Sequence, residues 1–325
     1  MTSRLADDEL TAFIDNFNGQ SLPPASVIGA AAMRAAAEER SATRPKGPEM
    51  YSVADLVVPS PDRSPGRPVR LYRPTADASA VVLYLHGGGW VIGDLETHDR
   101  ACRRLAAHSG VSVLALDYRR APEDPWPAAV DDTIAALRWI AAEPSAVGIT
   151  PGAVAIAGDS AGGTLAALAC LRVRDEAPEA APRAQLLIYA NTDLRNSGAS
   201  MQENGHGFGL DVADIEWFNA QWVPDAAMLD DPRVSPLHAP DLAGLPPAVV
   251  VTCEHDPLRD QGEAYAARLA AAGVATVVRR EPGMVHNFLL WDLVSPACAA
   301  AADRVADDLA TQLAAEATAR HTRQT

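Results

Sequence analysis

From about residue 80 onward, short apolar runs rich in β-branched residues alternate with longer segments whose apolar positions recur at helical spacing. The runs are AVVLYLH, VSVLALDY, AVAIAGD, AQLLIYA, PAVVVTCEHD and ATVVRREP, with helical patterns over 100–108, 128–141 and 161–173 between them. Strands apolar at successive positions are buried on both faces, which predicts a mostly parallel sheet with helices packed on each side. Ahead of them, YSVADLVVPSPDRSPGRPVRLYRP reads as two strands around a Pro/Gly turn, an antiparallel hairpin. The pattern is that of an α/β fold with roughly eight strands.

Two segments break the alternation. In the first fifty residues, Leu10, Phe13, Ile14 and Phe17 fall at helical spacing and VIGAAAMRAAAEER is rich in helix formers. Between 192 and 232 there is no strand pattern, but helical spacing and the aromatics Phe208, Trp217, Phe218 and Trp222. Both segments are expected to be helical and to form a cap over the C-terminal edge of the sheet, where open α/β sheets place ligands. The expected division is therefore a helical cap segment at 1–50, core at 51–191, a helical cap insertion at 192–232 and the rest of the core at 233–325.

Composition narrows the partners. The chain has 325 residues, 48% hydrophobic and 21% charged, enough for one large globular core with a shaped pocket. Its formal charge of −15 argues against nucleic acid, which needs clustered Lys and Arg. The start MTSRLADDELTAFIDNF has no apolar stretch behind a basic one, and no run of 18 apolar residues occurs, so a cytoplasmic protein without a membrane span is expected. Cys102, Cys170, Cys253 and Cys298 lie far apart and form no C-x-x-C pair; they read as reduced, buried small hydrophobes. No histidine or cysteine spacing suggests a metal, and no cofactor is expected.

The chemistry begins at AIAGDSAGGTLAALA. Serine is among the best helix N-caps, so Ser160 reads as a cap, as a nucleophile, or as both in one residue. The strand before it and the helix after it make Gly158-Asp159-Ser160-Ala161-Gly162 a nucleophile elbow, a sharp turn that leaves the hydroxyl exposed. Upstream, YLHGGGW follows another strand; its glycines can aim backbone N–H groups at an oxyanion, joined by the N–H of Ala161. A flexible turn and a phosphate cradle are the competing readings of that loop, and no Lys-Ser/Thr follows to support the cradle.

A serine nucleophile needs a base and an orienting acid, both later in the chain in this fold class. Of His206, His238, His255, His286 and His321, the position of His286 in the loop after the last apolar run suits the base best, with His255 next. Glu254, Asp256 and Asp260 stand at the end of the preceding run. Asp256, before a proline in a loop, is the expected acid, while Asp260 is expected to cap or begin the next helix.

In order and spacing, HGGGW, DYRRAPEDPWPAAVDD, GDSAGG, SPLHAPDLAGLPPAVVVTCEHDPLRDQGEAYA and GMVHNF resemble the hormone-sensitive-lipase-like group of α/β-hydrolases, the bacterial family IV carboxylesterases. The resemblance covers about residues 50–315. It implies an α/β-hydrolase fold, a Ser160–Asp256–His286 triad, oxyanion donors at Gly88, Gly89 and Ala161, and a structural role for Asp159. It further implies a small-molecule ester as substrate, of short-to-medium acyl length, and a homodimer paired through ATVVRR. Trp90, Phe208, Trp217 and Phe218 are expected to line the substrate pocket, with Trp126 and Trp222 as further candidates. The chain departs from the group's pattern at Arg120 and Asp124, at Asn287 where Gly is usual, and in LIYANTDLR, which lacks a proline after Tyr189. The alternatives to an esterase are a lyase on the same scaffold and a catalytically silent ligand-binding protein.

Overall fold

The computed structural model describes residues 4–20, 22–59, 65–150 and 153–324. In chain order the elements are helices α1 (Asp8–Gly19), α2 (Ala25–Ile28) and α3 (Ala30–Thr43), strands β1 (Ser52–Val58), β2 (Arg67–Arg73) and β3 (Val81–Leu85), α4 (Asp99–Ser109), β4 (Ser112–Leu116) and α5 (Ala128–Ala142). They continue with β5 (Val154–Asp159), α6 (Ala161–Glu176), β6 (Gln185–Ile188), α7 (Ser200–Glu203), α8 (Val212–Trp222), β7 (Ala248–His255), α9 (Arg259–Ala271), β8 (Thr276–Val285) and α10 (Pro296–Gln324).

The eight strands form one sheet in the order β1-β2-β4-β3-β5-β6-β7-β8. β1 pairs antiparallel with β2, and β2 with β4, while every pair from β4 to β8 is parallel. The expected hairpin and parallel sheet are both present; residues 60–64 of the hairpin turn lie outside the described residues. The reason is visible in the burial: β3, β4, β5 and β6 are buried at every position. Their side chains alternate between two apolar cores. Val81, Leu83 and Leu85 join Ile134 and Leu137 of α5 and Leu165 and Leu168 of α6 on one face. Val82 and Tyr84 join Cys102 and Leu105 of α4 and Val305 and Leu309 of α10 on the other.

The two segments without strand pattern are helical. α1 buries Leu10 and Ile14 in the core on the α10 side. The first segment also meets the second: the Ala25 N–H donates to Asp214 Oδ1 of α8 at 2.8 Å, and Asn18 donates to the Gly207 carbonyl at 3.0 Å. All four cysteines are buried and free, and burial raises their thiol pKa values. Among the described residues no helix is long and apolar enough to cross a membrane.

Candidate active site

Because the strands from β4 to β8 are parallel, the residues that follow β3, β5, β6, β7 and β8 emerge at one edge of the sheet. They are His86–Gly89, Ser160, Asn191, Asp256 and His286.

Ser160 stands between β5 and α6 at φ 54° and ψ −122°, a conformation costly for a residue with a side chain. Its N–H donates to the Ile188 carbonyl of β6 at 2.8 Å, which ties the turn to the neighbouring strand. The turn can be this tight because Gly162 abuts the preceding loop: a Cβ there would overlap the Leu85 carbonyl. Ser160 occupies the N-cap position of α6 but makes no side-chain cap bond. The expectation that it also caps the helix is thus corrected, because its hydroxyl is committed to His286, 2.9 Å from Oγ to Nε2.

His286 Nδ1 lies 2.8 Å from Asp256 Oδ2. A carboxylate only accepts, so Nδ1 carries the proton, Nε2 is the bare acceptor and the Ser160 hydroxyl donates to it. Asp256 is fully buried, and its other oxygen accepts the Leu258 N–H at 2.8 Å. The ring of Tyr189 packs against His286 with centroids 4.6 Å apart. Asn287 holds a left-handed conformation at φ 66°, which Asn tolerates better than most residues, so the departure from Gly leaves this turn feasible.

The other candidates lie elsewhere. His206 is exposed beside Asp211, and His238 Nε2 meets Asp193 at 3.1 Å. His255 stacks on Phe208 with centroids 4.9 Å apart. Asp260 lies in the first turn of α9 and accepts the Ser200 N–H, while Glu254 accepts the Gly283 N–H at 2.7 Å. The side chain of His321 lies outside the described residues.

The glycine loop after β3 is held from beneath. Gly88 and Gly89 have φ of 119° and 57°, and a Cβ on Gly88 would overlap the Ile92 carbonyl. Among the described residues, the N–H groups of Gly88, Gly89 and Ala161 donate to no backbone carbonyl in turns or loops. Asp159, fully buried, accepts from Tyr84 Oη at 2.7 Å and from the Gly87 N–H at 2.9 Å, linking the serine turn to the glycine loop. Burial alone would raise its carboxyl, but nearby His98, the Tyr84 hydroxyl and His86 hold it below the usual value. His86 stacks on Tyr118 and donates from Nδ1 to the Gly87 carbonyl at 2.8 Å; burial first, then His98, pushes its pKa down to about 3. Arg34 of α3 reaches over from the first segment and donates to the Val91 and Ala121 carbonyls, each at 2.7 Å.

Above this edge lies a cleft of about 490 Å³ including its open mouth. Gly88, Gly89, Ser160, Ala161 and His286 form its floor with Asn287, and Leu210, Ile215, Phe218 and Leu258 supply apolar wall. Trp90 and Phe218 are brought to this cleft; Phe208 and Trp217 are not among its lining residues. Phe208 is held against His255, and Trp217 packs edge-on against Phe218 from behind. Trp222 stacks on Trp90 inside the core, and Trp126 donates to the Arg233 carbonyl. Asn191 and Asn219, which also line the cleft, escaped the sequence reading. The signal for Asn191 was its place just past an apolar run, a strand-end position in the segment that departs from the related group.

The α/β-hydrolase fold family matches residues 82–290. The chain belongs to that family. Carboxylic ester hydrolase LipN of Mycobacterium tuberculosis is 41% identical over 286 residues, covering 86% of this chain and 74% of LipN. Ethyl acetate hydrolase of Pseudomonas putida is 39% identical, covering 83% of this chain and 86% of that protein. An ester hydrolase from the metagenome of Lake Arreo, solved with a bipyridine phosphonate derivative, superposes with a TM-score of 0.87 at 38% identity. That match spans 95% of this chain and 99% of the solved one. This α/β-hydrolase is a hormone-sensitive-lipase-like carboxylic ester hydrolase.

Proposed function

We propose that this α/β-hydrolase cleaves short-to-medium acyl esters by two-step acyl transfer through Ser160, His286 and Asp256. Ser160 Oγ attacks the ester carbonyl carbon while its proton passes to His286 Nε2. The carbonyl electron pair moves onto oxygen, which receives hydrogen bonds from the N–H groups of Gly88, Gly89 and Ala161. The intermediate collapses, His286 protonates the departing alkoxide, and the acyl group stays on Ser160. Water repeats the sequence and releases the acid. Asp256 holds the imidazole tautomer and stabilises the imidazolium.

The observation that carries this reading is the unbroken hydrogen-bonded line from Asp256 through His286 to Ser160 at the floor of the cleft. The modest cleft with its partly apolar wall supports an uncharged acyl group of limited length. Residues 1–50 and 192–232 act as the cap, with Ile215 and Phe218 of α8 against the substrate.

The test is hydrolysis of p-nitrophenyl esters from acetate to palmitate by the wild type and Ser160→Ala side by side. Activity is expected to peak at short or medium chains and to fall by about 10⁶ in kcat in the variant. Wild-type rates in Ser160→Ala would remove Ser160 from the mechanism, and a maximum at palmitate would overturn the chain-length reading.

A further inference from the structure

The cleft wall is not uniformly apolar. Asn191 is the third residue after β6 and is only 4% exposed. Its backbone is fixed, because its carbonyl accepts from Thr164 Oγ1 of α6 at 2.5 Å. Its side chain faces Asn219 of α8, and the pair can be oriented from its surroundings. Asn219 Nδ2 lies 3.2 Å from the Leu194 carbonyl, which can only accept, so the Asn219 nitrogen belongs there. Asn219 Oδ1 then faces Asn191 and takes a hydrogen bond from Asn191 Nδ2 at 3.2 Å. That leaves Asn191 Oδ1 as a buried acceptor without a hydrogen-bond partner among the described residues, on a side chain that lines the cleft beside Ser160 and His286.

A buried acceptor left unpaired is unfavourable, and a bound molecule that supplies a donor relieves the cost. Discrimination is then largest against a substrate of similar shape that lacks the donor. Asn219 has its oxygen and nitrogen both engaged, so Asn191 is the member of the pair with spare capacity.

We propose that Asn191 is a specificity-determining residue that selects esters carrying a hydroxyl or amide N–H donor on one of their two arms. The proposal rests on the ester-hydrolase reading of the cleft and narrows its substrate class from plain alkyl esters to hydroxy or amido esters. Aliphatic esters without a donor remain substrates of lower efficiency.

The test compares kcat/KM for two matched pairs. Ethyl β-hydroxybutyrate against ethyl β-methoxybutyrate probes the acyl arm, and hydroxybutyl acetate against methoxybutyl acetate probes the alcohol arm. The wild type is expected to favour the hydroxy ester about tenfold in one pair, which identifies the arm that meets Asn191. Asn191→Leu, close in shape but without an acceptor, is expected to bring that ratio near one. Asn191→Ala, which removes the acceptor without adding bulk, gives the same reading if leucine is not accommodated. A wild-type ratio near one in both pairs, or a preference that survives in Asn191→Leu or Asn191→Ala, overturns the inference while leaving ester hydrolysis intact. Failure of the wild type to turn over any of the four esters overturns the ester-hydrolase reading with it.

Discussion

Helices α6 and α3 both touch the chain that follows β3, α6 through Gly162 and α3 through Arg34, and are held in different ways. α6 buries twelve residues between Ala161 and Val173, and Gly162 at its start sits against the carbonyls of Leu85 and His86. α3, of similar length, buries none of its residues; its alanines favour helix, and Arg34 fastens it to the Val91 and Ala121 carbonyls. On the α6 side the glycine loop is located by close packing that admits no extra atom. On the α3 side it is located by one guanidinium and the carbonyls and carboxylate that it meets. The first arrangement fixes geometry and tolerates nothing. The second can yield without unfolding the domain.

Gly162→Ala strikes the close-packed side and carries the largest expected effect. The added Cβ forces the serine turn and the glycine loop apart, at about 3 kcal/mol for an overpacked site. Urea midpoints and kcat should fall together; a midpoint equal to wild type would show that the contact has slack.

Acid sharpens the comparison, because His86 lies in the packed region and is held neutral. Its folded-state pKa of about 3 is below the ordinary 6.5, so the unfolded chain binds the extra proton. The stability tied to its neutral form is complete above about pH 6.5 and is lost progressively as pH falls from 6.5 to 3, by at most about 1.4 kcal/mol per pH unit. His255, also depressed by burial, titrates in the same sense. Urea unfolding of the wild type and His86→Asn between pH 6.5 and 4 isolates the His86 share: the variant should show the shallower slope. Equal slopes would mean that His86 does not carry this loss.

Arg34→Ala tests the yielding side and has the smallest effect. Its ion pair with Glu123 is largely exposed and contributes little, so the loss is that of two hydrogen bonds to carbonyls, about 1 kcal/mol. The urea midpoint should barely move while kcat/KM drops several-fold as the loop loosens. A drop in stability as large as that of Gly162→Ala would erase the distinction between the two sides.

Much of the candidate site was legible because the proposed chemistry constrains residue type and local geometry together. GDSAGG after an apolar run requires a turn that only glycines permit, and His286 and Asp256 occupy loops after successive runs. The pocket aromatics were less legible, since nothing in the linear pattern distinguishes an aromatic that faces a cleft from one that faces a neighbour. Phe208 turned to His255 and Trp217 packed behind Phe218 for that reason. Arg34 was invisible as a clamp because its acceptors are backbone carbonyls 57 and 87 positions away, which leave no trace in residue type.

By itself the sequence determined the strands, their burial on both faces, the parallel sheet and the loops that carry Ser160, Asp256 and His286. Those follow from periodicity and from residue types that chemistry demands. The tertiary structure alone decided that Ser160 bonds His286 in place of capping its helix, and that Asn191, a residue lining the cleft, is left with a buried acceptor that has no partner among the described residues. Both depend on which distant groups compete for one hydrogen bond, and that competition exists only once the sheet has brought its strand ends together.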